Sequence, residues 1–191
     1  MEDLAAIVGT RVRAARQARG LSIGTLAGAA GVGKGSLSEI ENGARNPTLG
    51  TLYAIADALG LPLADLLDGR AGARIASPGI EARLLDVHSE HGWTVEVYRL
   101  TLAPGPGRRS GGHGAGVVEH LLVTAGRLRA GRLGEERELE AGQSAQWISD
   151  VAHTYAPLGD DPVEAVLVIR SPQVAAAPAG LHDGPWATEA S

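Results

Sequence analysis

The stretch HGAGVVEH, residues 113–120, sets two of the chain's six histidines and a glutamate within eight positions. Two imidazoles and a carboxylate can ligate a divalent metal or move a proton, provided that their side chains converge. On a strand, convergence depends on parity, because successive side chains point to opposite faces. His113, Ala115, Val117, Glu119, Leu121 and Val123 share one parity, whereas His120 and Leu122 share the other. If the strand is continuous, His113 and Glu119 face together and His120 faces outward, toward a subunit contact. With no cysteine in the chain, disulfides, thiolate ligands and a cysteine nucleophile are all excluded.

The segments that must position these groups read as strands. WTVEVYRLTL (93–102), EHLLVT (119–124), SAQWIS (144–149) and VEAVLVIR (163–170) are rich in β-branched or alternating apolar residues, and PGPG, GG, AGQ and GDDP turn signals separate them. A small all-β barrel or sandwich follows. GRRSGG (107–112) reads as a flexible loop at the barrel mouth with Arg108 and Arg109 solvated. His88 and His91 in DVHSEHGW read as turn residues, and EERELE (135–140) as a charged hairpin. Residues 171–191, rich in proline, alanine and glycine, read as a mobile tail that holds His182 and Trp186.

The front of the chain has a different period. Leu4, Val8, Val12 and Ala15 recur at helical spacing, with Arg11, Arg13 and Arg16 on the other face and Gly20 as a stop. Ser22 can cap a second helix and the AGVG turn leads to a third over KGSLSEIEN. Thr48 can cap a fourth with the stripe Leu52, Ile55, Ala56 and Leu59, and Leu63, Leu66 and Leu67 mark a short fifth. Polar, small-residue DGRAGAR (68–74) places the boundary: a helical domain over 1–68, a linker over 69–74 and a β domain over 75–170.

The net charge of −5 argues against nucleic acid until its distribution is considered. Residues 1–50 carry six basic against four acidic residues, and residues 75–191 nine against fifteen. Helix, tight turn and helix over Ser22–Glu41 is the geometry that lays a recognition helix in the major groove. Ala27, Val32, Leu37 and Ile40 would pack the pair, leaving Lys34, Ser36, Ser38 and Glu39 outward. Lysine can bond guanine, serine any base and glutamate the cytosine amino group, while Gly35 permits close backbone approach. No apolar run nears the roughly 18 residues of a membrane span, and the N-terminus has no basic-then-apolar leader, so the expected location is the cytoplasm.

The run from Leu21 to Leu67, centred on AGVGKGSLSEIENGARNPTLGTLYAIADALG, resembles the lambda-repressor-like, or xenobiotic response element, helix-turn-helix family. The resemblance implies that Lys34, Gly35, Ser36 and Glu39 face base edges, that Asn42, Arg45 and Asn46 hold phosphates, and that Arg16 and Glu41 form an internal ion pair. Gly33 departs from the serine or threonine cap usual there. In the back half, Gly107, His113, Ala115, Glu119 and Gly126 keep the spacing of the first cupin motif, with Ala115 in place of a histidine. Gly142, Ile148, His153 and Pro157 follow the second, with Ile148 and Pro157 replacing proline and asparagine. The back half thus resembles the cupins, and the expected fold is two-domain: an all-α five-helix DNA-binding domain, then an all-β double-stranded β-helix, or jelly-roll barrel.

That resemblance implies an incomplete ligand set, His113, Glu119 and His153, for iron, manganese, nickel or zinc, beside a small-molecule pocket to which Trp147 and Tyr155 could contribute. The expected function is a homodimeric transcriptional regulator that binds a palindromic double-stranded operator and senses a small molecule or metal through its barrel. The alternative is a mononuclear non-haem iron oxygenase or epoxidase with a helical accessory domain, since two histidines and a carboxylate are also that chemistry's ligand set.

Overall fold

The computed structural model describes residues 4–69 and 71–173. Five helices come first: α1 (Leu4–Ala18), α2 (Ile23–Ala29), α3 (Lys34–Glu41), α4 (Leu49–Leu59) and α5 (Leu63–Leu66). Their starts follow from local hydrogen bonding. Ser22 Oγ accepts from Thr25 N at 3.0 Å and Thr48 Oγ1 from Thr51 N at 3.2 Å, whereas Gly33 gives α3 no side-chain cap. Val8, Val12, Leu26, Leu37, Ile40, Leu52 and Ile55 form the shared core. Glu41 is buried, and Arg16 Nε reaches its Oε1 at 2.6 Å while Arg16 Nη2 meets Oε2 at 2.9 Å, so the expected internal ion pair is present.

Ten strands follow: β1 (Arg74–Ser77), β2 (Ile80–Glu90), β3 (Trp93–Leu102), β4 (Arg108–Ser110), β5 (Val118–Ala125), β6 (Arg127–Arg132), β7 (Arg137–Glu140), β8 (Ser144–Ile148), β9 (His153–Pro157) and β10 (Val163–Pro172). They form two antiparallel sheets, β1-β2-β3-β10-β5-β8 and β4-β9-β6-β7. Alternation decides what lies between them: Val163, Ala165, Leu167 and Ile169 of β10 are buried, with half-buried neighbours between. Leu128, Ala130, Leu139 and Tyr155 of the smaller sheet belong to the same core. This is the two-domain helical and jelly-roll fold expected from the sequence.

Several local expectations change. β5 begins at Val118, after a turn at 115–116, so no continuous strand carries His113. A loop delivers it, held by His113 N to Ser149 O at 2.6 Å. GRRSGG is not a free loop, because Arg108–Ser110 pairs with β9. His88 lies in β2 opposite Val95, and only His91 stands in the turn. β1 covers β2 only from Ile80 to Arg83, which leaves the outer half of β2 an edge where polar residues are tolerated and mimic a turn. β10 runs on through Ser171 and Pro172 opposite Thr94 and Trp93, and the rest of the expected tail, with His182 and Trp186, lies outside the described residues. Among the described residues no helix is long and apolar enough to cross a membrane.

Gly9 sits where α1 crosses α3, and a Cβ there would lie 2.3 Å from the carbonyl oxygen of Ile40. Alanine normally improves a helix by about 1 kcal/mol over glycine, but this clash is with backbone and forces the helices apart. Gly9→Ala should therefore lose roughly 1–3 kcal/mol in urea denaturation. A gain in stability would show that the α1–α3 crossing is loose.

Candidate functional site

The outward face of α3 and the loop after it present Lys34, Gly35, Glu39, Asn42, Arg45 and Asn46 to solvent, with Ser36 and Ser38 half-buried. Leu37 and Ile40 point inward, as does Ala27 on α2. The polar groups are partly tied to one another. Arg45 Nη1 lies 3.2 Å from both Ser36 Oγ and Glu39 Oε2, and Arg13 donates to Asn42 Oδ1. These are exposed contacts, which nucleic acid could replace at small expense.

The second constellation is buried. His113, Glu119 and His153 offer ligand atoms that all lie within 4.8 Å of one another. Glu119 from β5 and His153 from β9 have no exposed surface, and His113 retains 7%. His113 Nε2 stands 3.1 Å and His153 Nε2 3.3 Å from Glu119 Oε1. Tyr155, two residues after His153 and therefore inward on the same strand, donates to Glu119 Oε2. Trp147 packs edge-on to Tyr155 at 5.9 Å between centroids, so both aromatics belong to the wall of the site and the core together. His120 is on the opposite face of β5, half-buried and outside the cluster.

Charge in this site is set by its neighbours. Burial pushes the His113 ring toward neutrality, but Asp57 and Glu119 outweigh it and raise its pKa to about 9. Burial would likewise raise Glu119, yet His113, His153 and the Tyr155 hydroxyl hold it below the usual carboxylate range. His153 is pushed down, chiefly by burial. Glu119 Oε1 and His153 Nε2 nonetheless make no hydrogen bond of ordinary geometry, and such buried, unsatisfied donor atoms aimed at a common point fit a cation.

Helices α4 and α5 form the outer wall. Tyr53 and Asp57 of α4, Leu61, Leu63, Glu96 of β3 and His113 border a cavity of about 140 Å³, with Ala115 at its rim on an exposed turn. That is room for a ligand of about the size of benzene. A smaller cavity of about 110 Å³ adjoins it on the Gly50 and Arg109 side. Sequence reading missed Tyr53, Asp57 and Glu96, because nothing in a helical stripe or an alternating strand announces which distant element will cover it.

A helix-turn-helix family model matches residues 12–66. The transcriptional regulator ClgR of Mycobacterium tuberculosis (strain ATCC 25618 / H37Rv) is 35% identical over 99 residues, covering 51% of this chain and 88% of ClgR. The chain belongs to the helix-turn-helix transcriptional regulators. The HTH-type transcriptional regulator SutR of Escherichia coli (strain K12) is 29% identical over 177 residues, 91% of this regulator and 99% of SutR. An HTH_3 family transcriptional regulator from Vibrio cholerae shares the fold, with a TM-score of 0.79 at 24% identity over 88% of this chain and 97% of its own.

In this regulator Glu96 joins the two halves. It is 1% exposed and its Oε1 accepts from Ala64 N at 2.6 Å, at the start of α5, and from the Tyr98 hydroxyl at 2.8 Å. Burial raises its pKa from 4.5 to about 7; Ala64, Tyr98 and His113 oppose the shift, while Asp65 on α5 adds to it. Tyr53, whose own pKa is raised well above the usual range chiefly by burial, feels the Glu96 charge as well. The folded state thus holds the proton longer than the unfolded chain. Stability from this group is full below pH 4.5, falls as pH rises toward about 7, and is level above it. Glu96→Gln keeps the acceptor and removes the charge, so it should abolish that slope and stabilise the regulator at pH 8 by up to roughly 3 kcal/mol in urea denaturation. A slope unchanged in the variant would assign it to other groups.

Proposed function

We propose that the chain is a DNA-binding regulator rather than an enzyme, working in the cytoplasm as a homodimer on a palindromic double-stranded operator, with a barrel that senses a small molecule or a divalent metal. Lys34, Gly35, Ser36, Ser38 and Glu39 read bases, and Asn42, Arg45 and Asn46 hold phosphates. The position of this set on one helix and its following loop, with all but the half-buried Ser36 and Ser38 exposed, supports the reading. Few of these residues are cationic, so one copy binds weakly, and a two-fold dimer doubles the phosphate contacts. Exposed Leu122 and Ile148 on the outer face of β5 and β8, beside His120, support a subunit contact there.

The observation that carries the sensing half is the position of the buried cluster directly under α4 and α5. His113 Nε2, Glu119 Oε1 and His153 Nε2 would hold iron, manganese, nickel or zinc, and the 140 Å³ cavity beside His113 would take the organic effector. A bound cation would give the Glu119 oxygen, which makes no hydrogen bond of ordinary geometry, a direct partner. Whichever occupant binds must favour one geometry of the dimer over another, because only differential affinity shifts the equilibrium between them.

Footprinting on the DNA upstream of the regulator's own gene, followed by anisotropy titration on the protected fragment, tests the first half. Lys34→Ala should weaken binding by roughly 1–3 kcal/mol and leave the dimer intact. Unchanged affinity would place the recognition surface elsewhere. His153→Ala should leave affinity for the same fragment within twofold while removing its response to added manganese or ferrous iron. Equal loss of both would make His153 a structural barrel residue.

A further inference from the structure

The wall that α4 contributes is built from one of its faces. Leu52, Ile55, Ala56 and Leu59 are buried in the core, and α4 packs on α1, α2 and α5. Gly50, Tyr53 and Asp57, at spacings of three and four, turn toward the barrel. The Tyr53 ring covers that of His113 at 4.2 Å between centroids. Asp57 Oδ2 stands 3.7 Å from His113 Nδ1, the ring nitrogen that does not face Glu119. His113 Nδ1 is buried and makes no hydrogen bond of ordinary geometry. Arg108 of β4 packs over Gly50 so closely that a Cβ there would be 2.7 Å from its Nη2.

We infer that Asp57 is a positioning residue for His113: when Nε2 ligates a divalent cation together with Glu119 and His153, Asp57 accepts from Nδ1 and draws the DNA-reading domain onto the loaded barrel. This rests on the metal reading of the cluster and specifies its regulation. A ligating histidine needs a partner on its other ring nitrogen to fix tautomer and orientation, and such partners are commonly carboxylates. The barrel's own carboxylate at this cavity, Glu96, is already engaged, its Oε1 accepting from Ala64 N and the Tyr98 hydroxyl. The carboxylate within reach belongs to a helix that packs directly on α2, the first helix of the reading motif. The cation therefore reports to the reading domain through Asp57 beside the Tyr53 ring contact, without a relay across the barrel.

Cobalt(II) is the probe, added to the full chain. Its visible absorption follows binding, and hydrogen exchange over residues 49–59 follows α4. The unaltered protein should bind one cobalt and gain protection over 49–59. Asp57→Asn should bind roughly 10- to 100-fold more weakly and lose that gain, while its exchange in the β strands still responds to saturating cobalt. Glu119→Gln serves as the control and should not bind. If the unaltered protein takes up no cobalt, or Glu119→Gln binds it equally, the metal reading fails and this inference with it. If cobalt binds through Glu119 but Asp57→Asn binds equally well, or α4 in the unaltered protein gains no protection, the inference alone is overturned and the metal site stands. The exchange of the unaltered protein decides the matter even if Asp57→Asn does not fold.

Discussion

A carboxylate with no exposed surface stays ionised only if positive charge and hydrogen-bond donors meet it within a few ångströms. Glu119 has His113 and His153 on one oxygen and the Tyr155 hydroxyl on the other. The three compensating groups come from two segments: a loop tied to Ser149, and strand β9 at two positions of the same parity. The two sheets must therefore close with β5 facing β9. Around that requirement the barrel fills with small and branched apolar residues, such as Val123, Ala130, Ala165 and Leu167.

Closure of the barrel leaves the His113 side of the cluster open, and the helical domain covers it. The join is polar at its centre: Glu96 to the start of α5, Asp57 to His113, and Ser77 Oγ accepting from Leu49 N at 2.8 Å at the start of α4. An apolar interface would hold the halves regardless of what the barrel contains. One organised by the buried Glu96 and the half-buried Asp57 is sensitive to charge, because in a low-dielectric setting each unpaired group is expensive.

The reading motif is held by a different device. Arg16 and Glu41 cross-link the end of α1 to the end of α3, and Gly9 lets those helices approach to backbone contact. α3 lacks a side-chain cap at Gly33, so its orientation depends on this packing more than on its own ends. The exposed groups of α3 and the following loop occupy each other in the meantime, Arg45 with Glu39 and Ser36, which keeps the surface ordered without sealing it.

The helices were legible because they carry local signals: Ser22 and Thr48 as caps, Gly20 as a stop, and a stripe of apolar residues at helical spacing. Strands β3, β5, β8 and β10 were legible through alternation, and His113, Glu119 and His153 through their motif spacing. β2 and β4 were not, since an edge strand rich in charge and an arginine pair between glycines look like turn and loop. His113 and Glu119 were assigned a common side by strand parity, yet a turn at 115–116 interrupts that strand, and hydrogen bonds to Ser149 bring the ring to the cluster instead. By itself the sequence determined the kinds of element, the ligand types and the exposed face of α3, all of which depend on neighbours a few residues away. Only the tertiary structure decided that Tyr53, Asp57 and Glu96 belong to the buried site, because contacts between α4, α5 and the barrel mouth join residues some thirty to sixty positions apart, a range over which no periodicity persists.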